Sequence, residues 1–244
     1  MVRLSKRLLS IASFAEGTRV LADVGCDHGL LSLYLLERRL IEKAYLMDIN
    51  KGPLLKAGEN ARKFGLEGEI ELILSNGFDK LPDFLRERPG SPSPDAAVIC
   101  GMGGPLILDI ISGAPKEILN GIRRYILSPQ SEISAFRKGI LKLGYIILKE
   151  ALTEEEGKFY FVMEAVPLSS GYSEEREKPY DEAELRYGRI GLSRRDDTLL
   201  KLINRDLTVT RELLGRTNLP EKRREDLNRE LKVIEKARNR YEMS

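Results

Sequence analysis

The sequence predicts an α/β fold in which a mostly parallel sheet is followed by a small helical hairpin. Two observations lead to this prediction. Short apolar runs alternate with amphipathic helical segments over the first 144 residues, and a narrow apolar seam with helical spacing marks the last 50 or so. The chain has 244 residues, of which 42% are hydrophobic. This is enough to bury the core of one large domain together with a smaller one.

The alternating elements can be placed along the chain from hydrophobic periodicity and from helix-ending residues. We expect strands at residues 19–25, 43–50, 69–77, 95–101 and 123–129. We expect helices at residues 4–15, 29–38, 52–65, 79–87, 103–114 and 131–144, with Gly65 as a helix C-cap. Strands that alternate with helices form right-handed crossover units, so these strands should be parallel.

The remaining segments predict a hairpin and a separate helical unit. Residues 145–167 contain two β-runs around an acidic, glycine-containing turn, which predicts an antiparallel hairpin at one edge of the sheet. The polar residues 169–184 are expected to form a linker. Two helices joined by a Gly/Asn/Pro turn are then predicted from the apolar seams at Leu200, Ile203, Leu207, Thr210 and Leu214 and at Leu227, Leu231, Ile234, Arg238 and Tyr241. The predicted domains are residues 1–167 and 168–244, in a monomer or weak dimer.

Charge is unevenly distributed along the chain, although the net charge is only +2. Residues 186–244 carry 16 Lys and Arg against 10 Asp and Glu, and 12 of the 16 are Arg. An Arg-rich tail on a mildly acidic body is typical of proteins that bind a polyanion. A solvated helical surface of mixed charge is an equally good interpretation from charge alone.

Composition also excludes several classes of protein. Two cysteines, Cys26 and Cys100, cannot build a disulfide framework, and we expect them to be reduced neighbours on adjacent strands. The single histidine, His28, makes a metal site improbable. The sequence contains neither an apolar run long enough to cross a membrane nor a convincing leader peptide. We therefore expect a cytoplasmic protein without metal or membrane partners.

The segment DVGCDHG, residues 23–29, follows the first strand and is the main candidate for a binding turn. A dinucleotide turn needs glycines where this chain has Asp27 and Leu30, and a carboxylate at the second position would repel a pyrophosphate. S-adenosylmethionine carries an ammonium and a sulfonium and no phosphate, so an aspartate- and glycine-containing turn suits it. Each aspartate taken alone is more often a helix cap.

Polar residues at the ends of the next two strands favour the same cofactor. Asp48 ends the second strand and can accept hydrogen bonds from ribose hydroxyls, whereas Asn76 and Gly77 end the third and can meet an adenine edge. In an open α/β sheet, ligands bind beyond the carboxyl ends of the strands. The pattern therefore predicts a Rossmann-like, seven-stranded sheet of the kind found in methyltransferases that use S-adenosylmethionine.

The sequence resembles bacterial tRNA (adenine-N1)-methyltransferases that modify adenine 22. The resemblance runs in order through residues 4–165, and the helical tail fits the C-terminal coiled-coil domain of that family. The segments that carry it are LSKRL (4–8), ADVGCDH (22–28), GPLLKA (52–57), ICGMGG (99–104) and EEGKFY (155–160). The resemblance implies S-adenosyl-L-methionine as the methyl donor and tRNA as the acceptor.

The resemblance and the strand-end pattern together give a set of expected site residues. Asp27 matches the catalytic aspartate proposed for the family. The expected cofactor contacts are Asp23, Gly25, Cys26, His28, Asp48, Ile49, Asn76, Gly77, Gly101 and Met102. The expected tRNA contacts are Lys6, Arg7, Gly103, Gly104, Pro129 and Gln130. For Lys6 and Arg7, solvent-facing charge on the first helix is the alternative.

Two other functions share these features. A small-molecule methyltransferase would have the same sheet, and transfer of radiolabelled methyl groups to bulk tRNA would distinguish it. An RNA-binding protein that has lost catalysis would keep the fold but should not bind the cofactor. For the tRNA enzyme we expect RNA binding to weaken steeply with salt. We also expect loss of residues 175–244 to harm RNA binding more than cofactor binding.

Overall fold

A computed structural model describes residues 1–168 and 178–242. Its strands are β1 (Val20–Val24), β2 (Lys43–Asp48), β3 (Ile70–Leu74), β4 (Ala96–Cys100), β5 (Arg124–Ser128), β6 (Tyr145–Glu155) and β7 (Lys158–Pro167). Its helices are α1 (Lys6–Ala12), α2 (Leu30–Glu37), α3 (Lys51–Phe64), α4 (Leu81–Glu87), α5 (Gly104–Ser112), α6 (Lys116–Gly121), α7 (Ile133–Lys142), α8 (Glu182–Tyr187), α9 (Arg189–Arg194), α10 (Asp197–Leu214) and α11 (Glu221–Glu242).

The strands form one seven-stranded sheet in the order β3-β2-β1-β4-β5-β7-β6. The first five strands are mutually parallel, and the β6–β7 hairpin adds the antiparallel edge. This confirms the predicted Rossmann-like fold. The chain order reverses between β1 and β4, so the crevice beyond their carboxyl ends is the expected place for a ligand.

Local sequence explains where several elements begin and end. The hydroxyl of Ser5 caps α1 by accepting a hydrogen bond from the backbone N–H of Leu8 at 3.3 Å. Gly65 ends α3 in the left-handed conformation, as predicted. Glu156 and Gly157 both have positive φ, which fits the tight two-residue turn between β6 and β7.

Three short helices depart from the sequence-based expectations. Helices α6, α8 and α9 were not predicted, and α8 begins at Glu182, inside the segment expected to be a linker. The prediction of a linker was therefore wrong for residues 182–184, while residues 169–177 of that segment lie outside the described residues.

The last two helices form the predicted antiparallel hairpin. The two ends of the hairpin are fixed by hydrogen bonds: Tyr241 Oη donates to the carbonyl of Asp196 at 3.2 Å, and Arg224 Nη1 donates to that of Leu214 at 3.1 Å. The buried seam differs from the prediction on both helices. On α11, Ala237 is buried, whereas the predicted Leu231, Arg238 and Tyr241 are half-buried; on α10, the predicted Leu200 and Leu214 are half-buried. The buried members on α10 are Leu199, Leu202, Ile203, Leu207 and Thr210.

A buried ion pair joins the C-terminal helices to the sheet. Arg137 Nε on α7 lies 2.9 Å from Glu150 Oε1 on β6, and both side chains are almost fully buried. Arg137 Nη1 donates to the carbonyls of Leu185 and Arg186, and the N–H of Ile190 donates to Glu150. Helices α8 and α9 are thus hydrogen-bonded directly to the sheet domain.

None of the helices within residues 1–168 and 178–242 is both long and apolar enough to cross a membrane.

Candidate functional site

A cavity of about 520 Å³ lies at the carboxyl ends of β1, β2, β3 and β4. We call it the switch-point cavity. Every residue expected to contact the cofactor lines it, and so does Asp27. The lining residues are Arg7, Leu8, Asp23, Val24, Gly25, Cys26, Asp27, His28, Leu30, Leu31, Asp48, Ile49, Asn50, Ser75, Asn76, Gly77, Cys100, Gly101, Met102, Leu106, Ile110 and Gln130.

Asp23 is the buried carboxylate of this cavity. Its side chain is 2% exposed, and Ser32 Oγ on α2 donates a hydrogen bond to Oδ2 at 2.6 Å. Burial raises the pKa of Asp23 from 3.8 to about 6, the Ser32 hydrogen bond opposes this rise, and the charges of Asp27 and Asp48 add to it. A bound cation would relieve both the desolvation and the repulsion between these carboxylates.

The turn between β1 and α2 requires unusual backbone conformations. Gly25, Asp27 and Gly29 all have positive φ, at 71°, 52° and 70°. A side chain at Gly25 would collide with Met102, whose Cε would lie 2.0 Å from the added Cβ. Asp27 is the only one of the three that bears a side chain, and this conformation is costly for a residue other than glycine. Strain of this kind is commonly found at functional sites.

The Asp27 carboxylate is exposed at the mouth of the switch-point cavity. About 79% of the side chain is accessible, and Oδ1 lies 3.6 Å from His28 Nε2. The N-cap position of α2 belongs to Gly29 and has no side-chain cap, so His28 does not cap this helix. Asp27 and His28 therefore present polar groups that are available to a ligand.

The ends of β2 and β3 supply the next polar groups. Asp48 Oδ1 accepts a hydrogen bond from the backbone N–H of Asn50 at 2.8 Å, which fixes the carboxylate. Ser75 Oγ donates to the carbonyl of Gly77 and accepts from the N–H of Lys80, which holds the turn that carries Asn76. Asn76 itself is exposed.

The glycines after β4 serve two different purposes. Gly101 has a φ of 82°, and a Cβ added there would have no atom within 4 Å, so the open cavity lies beside it. A Cβ on Gly104 would lie 2.8 Å from Phe136 Cβ and 2.9 Å from the carbonyl oxygen of Ser131. Gly103 is similarly close to Ser131. Gly103 and Gly104 thus allow α5 to approach α7 and are not among the residues that line the cavity.

The comparisons with known proteins can be set beside this geometry. Residues 4–163 match the sequence profile of a family described as "Methyltransferase domain". The chain belongs to this methyltransferase family. Over 164 residues it is 34% identical to the tRNA (adenine(22)-N(1))-methyltransferase of Bacillus subtilis, a match that spans 67% of this chain and 65% of that protein.

Solved structures agree over nearly the whole chain. A crystal structure of a putative tRNA (m1A22) methyltransferase from Streptococcus pneumoniae has 27% identity and a TM-score of 0.82, covering 97% of this chain and 100% of that one. The M. capricolum protein TrmK, bound to S-adenosyl-homocysteine, has 25% identity and a TM-score of 0.81, covering 98% and 99%. These matches confirm the resemblance drawn from the sequence motifs.

The two cysteines of this methyltransferase both line the switch-point cavity and are free thiols. Burial raises the pKa of Cys26 far above its usual value and that of Cys100 to about 12, and the charge of Asp23 adds to both shifts. Thiols with raised pKa values are poor nucleophiles. Cys26 and Cys100 therefore contribute to this methyltransferase as small wall residues.

The expected substrate residues are divided between several places. Arg7 and Gln130 line the switch-point cavity, whereas Pro129 lines a second cleft in which Gln130 also takes part. Lys6 is exposed on α1 and lines neither. The N–H of Gln130 donates to the carbonyl of Met102 at 2.8 Å, which joins the loop after β5 to the loop after β4.

Sequence reasoning missed several wall residues of this methyltransferase. Ser75, Cys100, Leu106 and Ile110 line the cavity, and only their positions near strand ends and on the first turns of α5 could have indicated it. Within residues 1–168 and 178–242, no group of three or more His, Cys, Asp or Glu side chains is placed to hold a metal ion.

Proposed function

We propose that this protein transfers a methyl group from S-adenosyl-L-methionine to N1 of an adenine in tRNA, at position 22. The observation that carries the proposal is the convergence of Asp23, Asp48 and Asn76, from the ends of three successive strands, on one cavity. The name of the B. subtilis relative supports the substrate and the position.

The residues of the switch-point cavity fit the cofactor. A volume of about 520 Å³ is within the usual range for small-molecule sites. Asp23 would face the positive charge of the cofactor, and Asp48 would accept hydrogen bonds from the ribose hydroxyls. Gly101 leaves space on the wall that a side chain would fill. The remaining contacts that we propose are those of Gly25, Cys26, His28, Ile49, Asn76, Gly77 and Met102.

Methyl transfer to N1 depends more on alignment of the two reactants and on a negative electrostatic potential than on a general base. Bound S-adenosylmethionine would supply an electrophilic methyl carbon to the neutral lone pair of N1, and its sulfur would take up the electron pair of the C–S bond. The adenine ring gains a positive charge as the new bond forms. An exposed carboxylate at the cavity mouth would stabilise this charge and accept a hydrogen bond from the exocyclic amino group. We assign this catalytic role to Asp27.

The acceptor adenine has to leave its stack to reach the cavity. Arg7, which lines the cavity, and the exposed Lys6 on the same helix would hold neighbouring phosphates. Gln130, in the loop after β5, would contact the RNA at the cavity mouth, and Pro129 would contact it in the second cleft. Gly103 and Gly104 would act indirectly, because they set the position of that loop.

Mass-spectrometric nucleoside mapping tests the proposal. Purified protein and cofactor should place 1-methyladenosine at position 22 of a tRNA transcript, and a transcript with guanine at position 22 should remain unmodified. Absence of transfer to any tRNA would overturn the proposed function. Transfer to another adenine would overturn the assigned position alone.

The remaining proposals concern the whole chain. Residues 168–244 would form an RNA-binding unit beside the catalytic unit of residues 1–167, and the protein would act in the cytoplasm as a monomer or weak dimer. The antiparallel α10–α11 hairpin and its Arg-rich surface support this division. Equilibrium sedimentation would test the oligomeric state.

A further inference from the structure

A second cleft of about 580 Å³ lies where the sheet meets the C-terminal helices. We call it the junction cleft. One side comes from the loop after β5 and from β7, and the other from α8 and α10. Three of its four β7 residues, Lys158, Phe159 and Tyr160, belong to the EEGKFY segment, which carries the family resemblance. That segment has no role in the switch-point cavity beyond the contacts of Glu155 and Tyr160 with Arg7.

The junction cleft combines aromatic surface with exposed positive charge. Phe159 and Tyr160 are half-buried in its wall, and Lys158 and Arg205 are exposed at its edge. The guanidinium of Arg205 lies over the Phe159 ring, 4.7 Å from its centroid. Aromatic faces beside Arg and Lys are the usual means by which proteins hold unstacked nucleotides.

The one acidic side chain among the lining residues is already neutralised. Asp206 accepts hydrogen bonds from Arg186 at 2.9 Å and from the Tyr187 hydroxyl at 3.0 Å, and Arg205 lies 3.2 Å from its other oxygen. Arg186 is in turn bonded to Glu230 at 2.6 Å. Lys158, together with the exposed N–H groups of Arg205 that do not contact Asp206, therefore faces an incoming anion.

The junction cleft adjoins the switch-point cavity at two places. Gln130 lines both. Arg7 lines the switch-point cavity, and its guanidinium lies 5.2 Å from the ring centroid of Tyr160, which lines the junction cleft. The two spaces therefore lie side by side, as a subsite for an adjoining nucleotide requires.

We propose that the junction cleft binds the nucleotide next to the methylated adenosine in the RNA substrate. The base lies against Phe159, and a backbone phosphate lies between Lys158 and Arg205. This inference rests on the proposed function for the identity of the RNA, and it adds a single-stranded nucleotide subsite to that function. It also requires that RNA flanking the target adenosine is unstacked when bound.

The test measures binding of a tRNA transcript in the presence of S-adenosyl-homocysteine. Transcripts with an abasic nucleotide on either side of the target adenosine are compared with the intact one, for wild-type protein and for Phe159→Leu. We expect one abasic transcript to bind wild-type protein about tenfold more weakly, as the loss of one stacked base predicts. Phe159→Leu should bind the intact transcript about tenfold more weakly than wild-type protein does. This variant should bind the abasic transcript less than twofold more weakly than the intact one.

Charge substitutions provide a second measurement. Arg205→Gln should weaken binding and lower the slope of log affinity against log salt by about one. The matched controls are Phe64→Leu and Arg62→Gln on α3, at the opposite edge of the sheet, which should bind RNA within twofold of wild type. Unchanged affinity for S-adenosyl-homocysteine would show that each variant is folded.

The outcomes separate the two proposals. The inference is wrong if Phe159→Leu binds the intact transcript with wild-type affinity. It is also wrong if the losses of affinity from the substitution and from the missing base multiply, because the junction cleft then does not hold this base. If wild-type protein binds tRNA but methylates none, the proposed function fails while the binding data still decide the role of the cleft. If wild-type protein binds no tRNA, both proposals fall.

Discussion

In the proposed site the Asp23 carboxyl would have to be charged to attract the cationic cofactor, and its burial disfavours that charge. Its pKa is about 6 in the folded protein and 3.8 in the unfolded chain, because burial disfavours the ionised form. Between these values the folded state binds more protons than the unfolded state. Stability of the ligand-free protein therefore falls as the pH rises from about 4 to about 6.

Asp23→Asn should accordingly stabilise the ligand-free protein while it weakens cofactor binding. Because the pKa of Asp23 lies about two units above its ordinary value, the substitution should raise the free energy of unfolding by roughly 2–3 kcal/mol at pH 8. At pH 4 it should raise the free energy of unfolding hardly at all. Denaturant unfolding at the two pH values checks the first effect, and calorimetry with S-adenosylmethionine checks the second. The exposed Asp79→Asn is the control, and equal gains in both variants would contradict the burial argument.

The same carboxyl predicts a pH profile for binding. A protonated Asp23 cannot neutralise the cofactor, so affinity for S-adenosylmethionine should decline as the pH falls through about 6.

Asp27 combines an exposed carboxylate with a left-handed backbone. We expect Asp27→Asn to lower kcat by roughly 10–100-fold, because an amide provides less negative potential for the charged product. Cofactor affinity should change much less. Asp27→Gly separates the two properties of this residue, since glycine adopts a φ of 52° without strain. Asp27→Gly should be at least as stable as wild type, and its kcat should be as low as that of Asp27→Asn. Near-normal turnover in both variants would remove Asp27 from catalysis.

The loop from β4 to α5 contains glycines whose substitution by alanine should have different effects on stability and ligand binding. Gly104→Ala should destabilise the protein by about 1–3 kcal/mol, because the added Cβ meets Phe136 and the Ser131 carbonyl. Gly101→Ala has free space around the added Cβ, so it should lower the free energy of unfolding by only about 1–2 kcal/mol, because of the positive φ. It should also weaken ligand binding. Thermal unfolding and cofactor titration of both variants distinguish these outcomes. Equal effects on binding would contradict the assignment of Gly101 to the cavity wall.

The elements that were predicted correctly are those with long hydrophobic periodicity. The three helices that were missed, α6, α8 and α9, have six residues each, which is too short for such a pattern. Helix α8 does carry a local signal, because Asp181 and Glu184 form a capping box. The polar composition around it concealed that signal.

The candidate site also has one part that the sequence predicts and one part that it does not. The residues around the switch-point cavity could be found because parallel strands bring their carboxyl ends to one edge, so Asp23, Asp48 and Asn76 had to meet. The junction cleft could not be found, since it combines Gln130, Phe159 and Arg205 from three distant segments. Their proximity depends on how the C-terminal helices dock, which periodicity does not encode.

For the whole molecule, the buried pair of Arg137 and Glu150 determines how the two parts are joined. Arg137→Met should destabilise the protein by about 3–5 kcal/mol, because it leaves the Glu150 carboxylate buried without its partner. The exposed Arg86→Met, which breaks the pair with Asp83, should change stability by less than about 1 kcal/mol. Urea unfolding monitored by circular dichroism gives both values. A loss in Arg137→Met no greater than that in Arg86→Met would contradict this account.

This joint also alters the design of the truncation experiment. Loss of residues 175–244 would remove the carbonyls of Leu185 and Arg186 from Arg137 and the N–H of Ile190 from Glu150. A truncated chain would therefore lose stability as well as any RNA contacts. Substitutions of exposed Arg residues on the helices are the cleaner measure of RNA binding by this part of the chain.

Helix α1 precedes every strand of the sheet in the chain, yet its place is set by the last hairpin of the sheet. The backbone N–H of Arg7 donates to Glu155 Oε1 at 3.2 Å, and its guanidinium lies over Tyr160. The wall that Arg7 contributes cannot form until some 150 further residues have been synthesised. During synthesis the cavity therefore lacks this wall until the final antiparallel strands have joined the sheet.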